Sequence, residues 1–315
     1  MDAVQRLRPR RLTTGALAIA GLFFAGVPAF AQAWVPPAGV GSITISFQRI
    51  DNTGHLLTDG SSAGGLSENL SLLVEVDYAI TDRLSISAGL PYVGARWTDP
   101  NPPPPFVPFL PVDQCHCWHG GLQDFAFTAR YNVIRNGGFA LTPSLSVGAP
   151  SHDYAYQGEA VIGRDLKELR FGVDVGQRLD RISPRLSVQG RYSYAVVEQV
   201  LDIPNNRSNA TVEGAFQLTR KFDARGFATW QRTHGGLRFG GMGELPPPGE
   251  VNTPELLAQH DRLLRDNNFR VGGGVSYSLP TIDLFASYIS YVSGTDSHLG
   301  RAFTFGISWP FEIAR

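Results

Sequence analysis

Hydrophobic and polar residues alternate with a period of two along most of this chain. The stretch 301–311 shows the alternation most clearly, because single small or polar residues separate its large apolar ones, Phe303, Phe305, Ile307, Trp309 and Phe311. Similar stretches lie at 42–50, 69–80, 84–92, 122–133, 139–149, 167–179, 185–196, 210–218, 224–232, 269–279 and 283–292. Such alternation is typical of β-strands, so the sequence predicts about 12 strands. The phase of 224–232 and of 283–292 is ambiguous.

The predicted strands are joined by connectors that alternate between short and long. Short connectors lie at 80–83, 134–138, 180–184, 219–222 and 279–281. Long connectors lie at 51–68, 93–121, 150–164, 197–209, 233–268 and 293–301. An antiparallel up-and-down sheet with tight turns at one end and large loops at the other end produces this order.

The polar faces of the predicted strands carry charged residues, which a soluble sheet would place in water. These residues are Glu75, Asp77, Asp124, Arg130, Glu168, Arg170, Asp174, Arg191, Glu213 and Arg225. In a membrane barrel the apolar faces contact lipid and the polar faces line the lumen, while closure satisfies every backbone group. We therefore predict an all-β transmembrane antiparallel up-and-down β-barrel of about 12 strands, with long extracellular loops and short periplasmic turns. The alternative is a soluble β-sandwich or propeller, whose strands would also alternate.

The N-terminus has the pattern of a secretory signal peptide. Four arginines lie within the first eleven residues, an apolar run covers 15–31, and small residues precede a cleavage site after Ala31 or Ala33. Arg10 and Arg11 raise a twin-arginine signal as an alternative, but the surrounding residues favour ordinary secretion. No later run is long and apolar enough for a membrane helix, which needs about 20 residues. Charged residues make up 17% of the chain, below the about 25% typical of soluble domains.

These features predict four segments and a location. Residues 1–33 form the signal peptide, 34–41 a short periplasmic segment, 42–311 the barrel and 312–315 a C-terminal tail. The predicted location is the outer membrane of a Gram-negative-type bacterium, where lipid and lipopolysaccharide surround the barrel. The aromatic stretch Phe303–Phe311 resembles the last strand that the outer-membrane insertion machinery reads, although Glu312 and three further residues follow it.

Both cysteines lie in one short loop segment, Cys115-His116-Cys117-Trp118-His119. Thiolate and imidazole ligands suit zinc or copper, so Cys115, Cys117 and His119 are candidate metal ligands. Three ligands are one short of a tetrahedral site. The alternatives are a Cys115–Cys117 disulfide, since export exposes thiols to oxidation, and a polar loop without a metal.

Two other loop segments have a distinct composition. Residues 100–112 are rich in proline and carry exposed apolar residues, which predicts either an inward constriction or a stiff spacer over the barrel mouth. Residues 252–267 have leucines at helical spacing after a start signal at Thr253 and Pro254. This second segment predicts a short amphipathic helix that caps the outer rim.

A search for enzyme motifs finds little. Ser151-His152 and Ser297-His298 are adjacent pairs, but neighbours on a strand point to opposite faces and form no ready dyad. No G-x-S-x-G motif occurs, and the chain has no phosphate loop and no basic patch for nucleic acid. The sequence therefore predicts no enzyme, with a lipid hydrolase as the enzymatic alternative.

Several stretches resemble a known family. Residues 34–60, 76–93, 120–133 and 272–288, together with GISWPF at 306–311, look like uncharacterised bacterial outer-membrane "transporter" proteins. These proteins are similar to the family named for the meta-pathway of phenol degradation. The resemblance implies a barrel that admits small, often aromatic or hydrophobic compounds, and it assigns no substrate-binding residue.

Three functional hypotheses follow. The first is a channel for passive uptake of small, hydrophobic or aromatic molecules, in which the ten charged residues line a selective pore. The second is a structural or surface-interaction barrel, in which those charges pair across strands and fill the lumen while the loops bind a partner or metal. The third is a lipid-modifying enzyme.

Overall fold

A computed structural model describes residues 33–100, 115–156, 160–238, 255–256 and 259–313. The signal peptide predicted at 1–33 lies outside the described residues except for Ala33. Nearly all regular structure consists of strands. The elements are β1 (Val40–Leu56), β2 (Ser62–Ala79), β3 (Leu84–Trp97), β4 (His119–Leu122), β5 (Asp124–Tyr131), β6 (Ile134–Asn136), β7 (Phe139–Pro150), β8 (Glu168–Arg178), β9 (Leu186–Val197), β10 (Asn205–Gln217), β11 (Phe222–Gly235), α1 (His260–Leu263), β12 (Asn267–Ser278), β13 (Asp283–Thr295) and β14 (Ser297–Glu312).

The strands form one closed antiparallel barrel. Each strand pairs with its neighbours in sequence, and β1 closes the wall by pairing with β14 from Val40↔Glu312 to Leu56↔Ser297. The short elements β4, β5 and β6 are segments of one wall strand, since β4 and β5 pair with β3 while β5 and β6 pair with β7. The wall therefore has twelve strands, which confirms the predicted fold class.

The two faces of the wall have the polarity of a membrane barrel. On β1, Ile43 and Ile45 are exposed, whereas Thr44, Ser46 and Gln48 are buried on the opposite face. The other strands repeat this pattern, and their exposed apolar residues include Leu72, Val74, Val76, Phe125, Phe127, Phe171, Phe303 and Phe305. A soluble sandwich would bury these apolar rows against each other, so the structure excludes that alternative.

The two ends of the barrel differ, as the connectors predict. The periplasmic turns are short. The turn between β6 and β7 has only Gly137 and Gly138 between the strands, at φ 55° and 83°, which is the left-handed geometry of tight hairpins. At the outer end, however, much of the predicted loops 51–68 and 293–301 is strand. Only residues 57–61 separate β1 from β2.

Charges outside the barrel explain why these strand extensions do not show the alternation. Arg49 on the outer face of β1 contacts Asp51 at 2.9 Å and Glu68 at 2.7 Å, and Arg301 lies 3.5 Å from Asp51. Arg96 contacts the other oxygen of Glu68 at 2.5 Å. In this band the outer face carries charged residues in place of apolar ones, so the strands continue with polar residues on both faces.

The outer loops only partly follow the predictions. In the described part of 252–267, the helix is the single turn α1, because residues 252–254 and 257–258 lie outside the described residues. Leu263 and Leu264 are buried against Leu57 and Leu237 at the outer end of the barrel. All of the proline-rich segment 100–112 except Pro100 lies outside the described residues. No helix in the described ranges is long and apolar enough to cross a membrane.

Candidate functional site: the barrel interior

The ten charged residues predicted to line the lumen all lie at inward-facing strand positions. Several of them are paired: Arg130 donates to Asp77 at 2.5 Å, Arg191 to both oxygens of Asp174 at 2.6 and 3.1 Å, and Arg170 to Glu168 at 2.7 Å. Pairing, within β8 for Arg170 and Glu168 and between strands for the other two pairs, keeps these charges compensated where little water reaches them. Their role as the walls of a solute path is a functional prediction that this geometry leaves open.

The periplasmic end of the interior is occupied by the segment that precedes β1. The carbonyl of Ala33 accepts hydrogen bonds from Asn132 Nδ2 at 3.1 Å and from Thr142 Oγ1 at 2.5 Å, and its amide donates to Gln189 Oε1 at 3.4 Å. Asn132 and Thr142 are fully buried and face inward. Val35 is also buried, and the Trp34 ring covers the inward Gly176 of β8, so the segment 34–41, predicted to be periplasmic, begins inside the mouth of the barrel. Of the two predicted cleavage sites, the one after Ala31 keeps Ala33 in the mature chain.

An apolar row lines one side of the interior, on β1, β11, β13 and β14. Ile50, Phe227, Ile289 and Ala302 are buried and form one cluster. They lie on one line of paired positions, in which Gly272 of β12 is the member without a side chain. The Phe227 ring covers this glycine. On these strands a solute meets hydrocarbon, while the flanking strands place Asn69 and Glu213 on the same line of paired positions.

A substitution at Gly272 tests the packing of this row. We expect Gly272→Val to lower the free energy of unfolding by about 1–3 kcal/mol. A Cβ there would lie 2.5 Å from a Phe227 ring carbon and would overlap the Tyr288 carbonyl oxygen. Gly226→Val is the matched control on the adjacent strand, since a Cβ at Gly226 meets nothing within 4 Å. Urea unfolding in lipid vesicles measures both; an equal loss for the two variants would contradict the packing.

The extracellular half of the interior is narrowed by the connection between β7 and β8. Tyr154 and Ile162 of this segment pack against the inward residues Val93 and Trp97 of β3. The Tyr154 hydroxyl donates a 2.5 Å hydrogen bond to Asp124, and burial raises the pKa of this hydroxyl. The sequence predicts only a long outer loop at 150–164, because the segment has no periodicity that indicates where it folds.

Arginines concentrate around Glu168 in this outer half. Arg170 and Arg207 each bind a different oxygen of Glu168, both at 2.7 Å. Arg164, from the β7–β8 connection, is fully buried, and its pKa is well below the usual value, mainly because of burial and also because of the Arg207 charge. The sequence does not predict that Arg164 and Arg207 face the interior, because Arg164 lies in a loop and Arg207 precedes the predicted strand 210–218.

The cysteine loop takes one of its three alternatives. Cys115 and Cys117 are joined by a disulfide, so in this state neither sulfur is a thiolate ligand. Among the residues that the structure describes, no group of three or more His, Cys, Asp or Glu side chains is arranged to hold a metal. Zinc or copper binding by Cys115, Cys117 and His119 would require the reduced loop, and it stays a prediction.

One of the two Ser-His pairs differs from its predicted geometry. Ser151 Oγ lies 2.9 Å from His152 Nδ1. The two side chains meet because the residues form a bend after β7 rather than part of a strand. The second pair follows the prediction, since Ser297 donates to Asp266 at 2.6 Å and not to the His298 ring. Neither arrangement by itself makes a hydrolase.

Comparisons with known proteins agree with the fold. The chain is similar to the COG4313 outer membrane channel from Pseudomonas putida F1, with a TM-score of 0.65, 10% identity and coverage of 89% of this chain and 98% of that chain. Weaker likenesses are to the NanC porin (TM-score 0.48, 10% identity, 85% and 98% covered) and to the translocator domain of the autotransporter NalP from Neisseria meningitidis (0.49, 12%, 87% and 89%).

Sequence comparisons add no family assignment. No protein-family profile matches the chain, and no curated protein matches it. The resemblance to the phenol-degradation family thus stays an expectation. The closed barrel, its outward apolar belt and the structural likeness together identify the chain as an outer-membrane β-barrel protein.

Proposed function

We propose that this protein is a passive outer-membrane channel for small molecules, including hydrophobic or aromatic ones. The observation that carries the proposal is the mixed lining of the interior. Charged and polar residues cover most of it, while Ile50, Phe227 and Ile289 form a buried apolar row along one side of it. A lining that offers both hydrogen bonds and hydrocarbon suits solutes that have a polar group and an apolar body.

Two constrictions give such a channel a gate at each end. The segment from Ala33 to Gly39 occupies the periplasmic mouth, and the β7–β8 connection fills part of the outer half. In their described residues, both segments lack regular strand structure and are held by a few hydrogen bonds and side-chain contacts. Displacing them requires no break in the barrel wall, so a solute can pass while the wall stays closed.

Known proteins support the proposal at the level of analogy. The similar structure from Pseudomonas putida F1 is described as an outer membrane channel. The sequence resemblance to the phenol-degradation family adds the expectation of small aromatic or hydrophobic solutes. Fold alone does not determine a substrate, and the solute class therefore rests on the interior residues.

Vesicle uptake tests the channel. We expect proteoliposomes to swell in arabinose and in methyl and phenyl glucosides, with the phenyl compound entering faster than its size alone predicts, because its ring contacts the Phe227 row. Phe227→Ser should remove this preference and leave arabinose uptake unchanged. Empty vesicles and the variant Phe303→Ser, altered on the outer face, are controls. No uptake of any solute by the folded wild type would contradict the channel.

A filled structural barrel is the second candidate function. It is supported by the pairing of inner charges, such as Arg191 with Asp174, and by the segments that occupy both ends. In that case the outer loops would bind a partner or a metal. The uptake experiment separates the two candidates, because a filled barrel folds normally and carries no solute.

We also propose how the barrel meets its surroundings. Phe303, Phe305 and Trp309 lie exposed on the outer face of β14, where insertion machinery can read them before the barrel closes. Above the apolar belt, Arg49, Arg96 and Arg301 are positioned for the phosphates of lipopolysaccharide.

A further inference from the structure

One arginine inside the barrel lacks a partner. Arg270 faces inward on β12 and is 6% exposed. Among the described residues it makes no hydrogen bond or ion pair through its side chain, and its Nε is buried without an acceptor. The Nε–H group has thus lost its hydration without a replacement acceptor, which is costly. Buried cations in proteins are therefore normally paired, and Arg270 is an exception that calls for an anion.

The nearby carboxylates are already engaged. Asp266 is the acidic residue whose charge acts on Arg270. One Asp266 oxygen accepts from Asn268 at 2.8 Å and from Ser297 at 2.6 Å, and the other accepts from Gln231 at 3.0 Å. These neutral donors hold the carboxylate away from an ion pair with Arg270. Glu168 is likewise occupied, since each of its oxygens binds an arginine.

The apolar row lies directly next to Arg270. Gly272 is two residues further along β12 on the same face, and it is paired with Phe227 on one side and Ile289 on the other. Arg270 itself pairs with Tyr291 and Thr229, which are the next inward positions on those two strands. The guanidinium and the hydrocarbon surface are therefore adjacent in the wall.

We propose that this part of the interior binds a small organic carboxylate with an aromatic or alkyl body. The carboxylate takes the planar, bidentate fork of Arg270, and the body lies on Phe227, Ile289 and Ile50. One guanidinium without a salt bridge, with the Asp266 carboxylate nearby, suits a monoanion better than a phosphate, whose second charge would need another free donor. This site deepens the proposed channel function, as it names the solute class that the channel selects.

Equilibrium binding to the detergent-solubilised barrel tests the site independently of transport. Titration calorimetry should show that benzoate binds at least about tenfold tighter than benzyl alcohol, which lacks the charge, and than acetate, which lacks the ring, since a charged hydrogen bond and buried apolar area each contribute about that factor. Inorganic phosphate should bind weakly. Arg270→Gln should lose the benzoate preference, and Arg270→Lys should restore part of it.

Two controls keep the outcome clear. Arg301→Gln makes the same change on the outer face and should leave benzoate binding intact, and heat modifiability on gels confirms that each variant is folded. Equal binding of benzoate and benzyl alcohol, or wild-type benzoate binding by folded Arg270→Gln, would overturn the site. Uptake of neutral solutes without benzoate binding would refute this site and leave the channel function intact. Benzoate binding without uptake of any solute would refute the channel function and leave the site intact.

Discussion

Removing residues 34–38 is expected to raise the single-channel conductance of the refolded barrel several-fold. In the chain cut after Ala31, these residues follow Ala33, which is fully buried and bonded to Asn132 and Thr142 inside the periplasmic mouth. Without the segment, that end of the interior is open to water and ions. Planar bilayers measure the conductance, and the deletion leaves every strand of the wall in place, so heat modifiability should be unchanged.

A milder variant separates the position of the segment from its presence. Asn132→Leu with Thr142→Val removes both side-chain donors to Ala33 and keeps the segment, and we expect frequent transitions between a low and a high conductance. Ser61→Ala, on the outer turn between β1 and β2, is the control. A deletion whose conductance equals that of the wild type would show that the constriction lies elsewhere.

Asp174→Ala is expected to cost about 3 kcal/mol of the free energy of unfolding, the lower end of the range for breaking a buried ion pair. Asp174 is fully buried, and Arg191 donates two hydrogen bonds to it. The substitution leaves the Arg191 charge inside the barrel with only the more distant Glu75 and Asp77 to compensate it. Urea unfolding in lipid vesicles measures the loss.

Two comparisons test whether the loss comes from the uncompensated charge. Asp180→Ala removes a carboxylate 3.7 Å from Arg178 in an exposed turn, and such pairs contribute about 0–1 kcal/mol. The double variant Asp174→Leu/Arg191→Leu removes both charges and should recover most of the loss. If the double variant is as unstable as Asp174→Ala, the loss comes from side-chain packing and not from an uncompensated charge.

The sequence predicts the wall well because period-two alternation is a local property of each strand. Phe303 and Phe305 face outward and Glu75 and Asp77 face inward as this alternation requires. The alternation of Arg270 with Val271 likewise predicts that Arg270 faces inward. Three consecutive glycines after Val271 weaken the pattern there. The ambiguous phase of 224–232 and 283–292 has a physical cause: their inward faces carry apolar residues of the row that lines one side of the interior.

The contents of the barrel are harder to predict. Ala33 and Ile162 each contact residues more than sixty positions away in the chain, and no periodicity in their own segments indicates these contacts. The pairing of Arg207 with Glu168 is of the same kind. Such contacts depend on which strands face each other after closure, which a single sequence does not state. The strand pattern thus predicts the barrel wall, and only the three-dimensional arrangement shows which segments narrow the interior.

The pairing of β1 with β14 has a consequence for biogenesis. Most of the chain separates these two strands, so loop-closure entropy makes their contact among the last to form. Until it forms, both strands expose unpaired edges that invite aggregation. A nascent chain that stops short of residue 297 lacks β14 and cannot seal its circumference, so quality control can distinguish it from finished protein by that open seam alone.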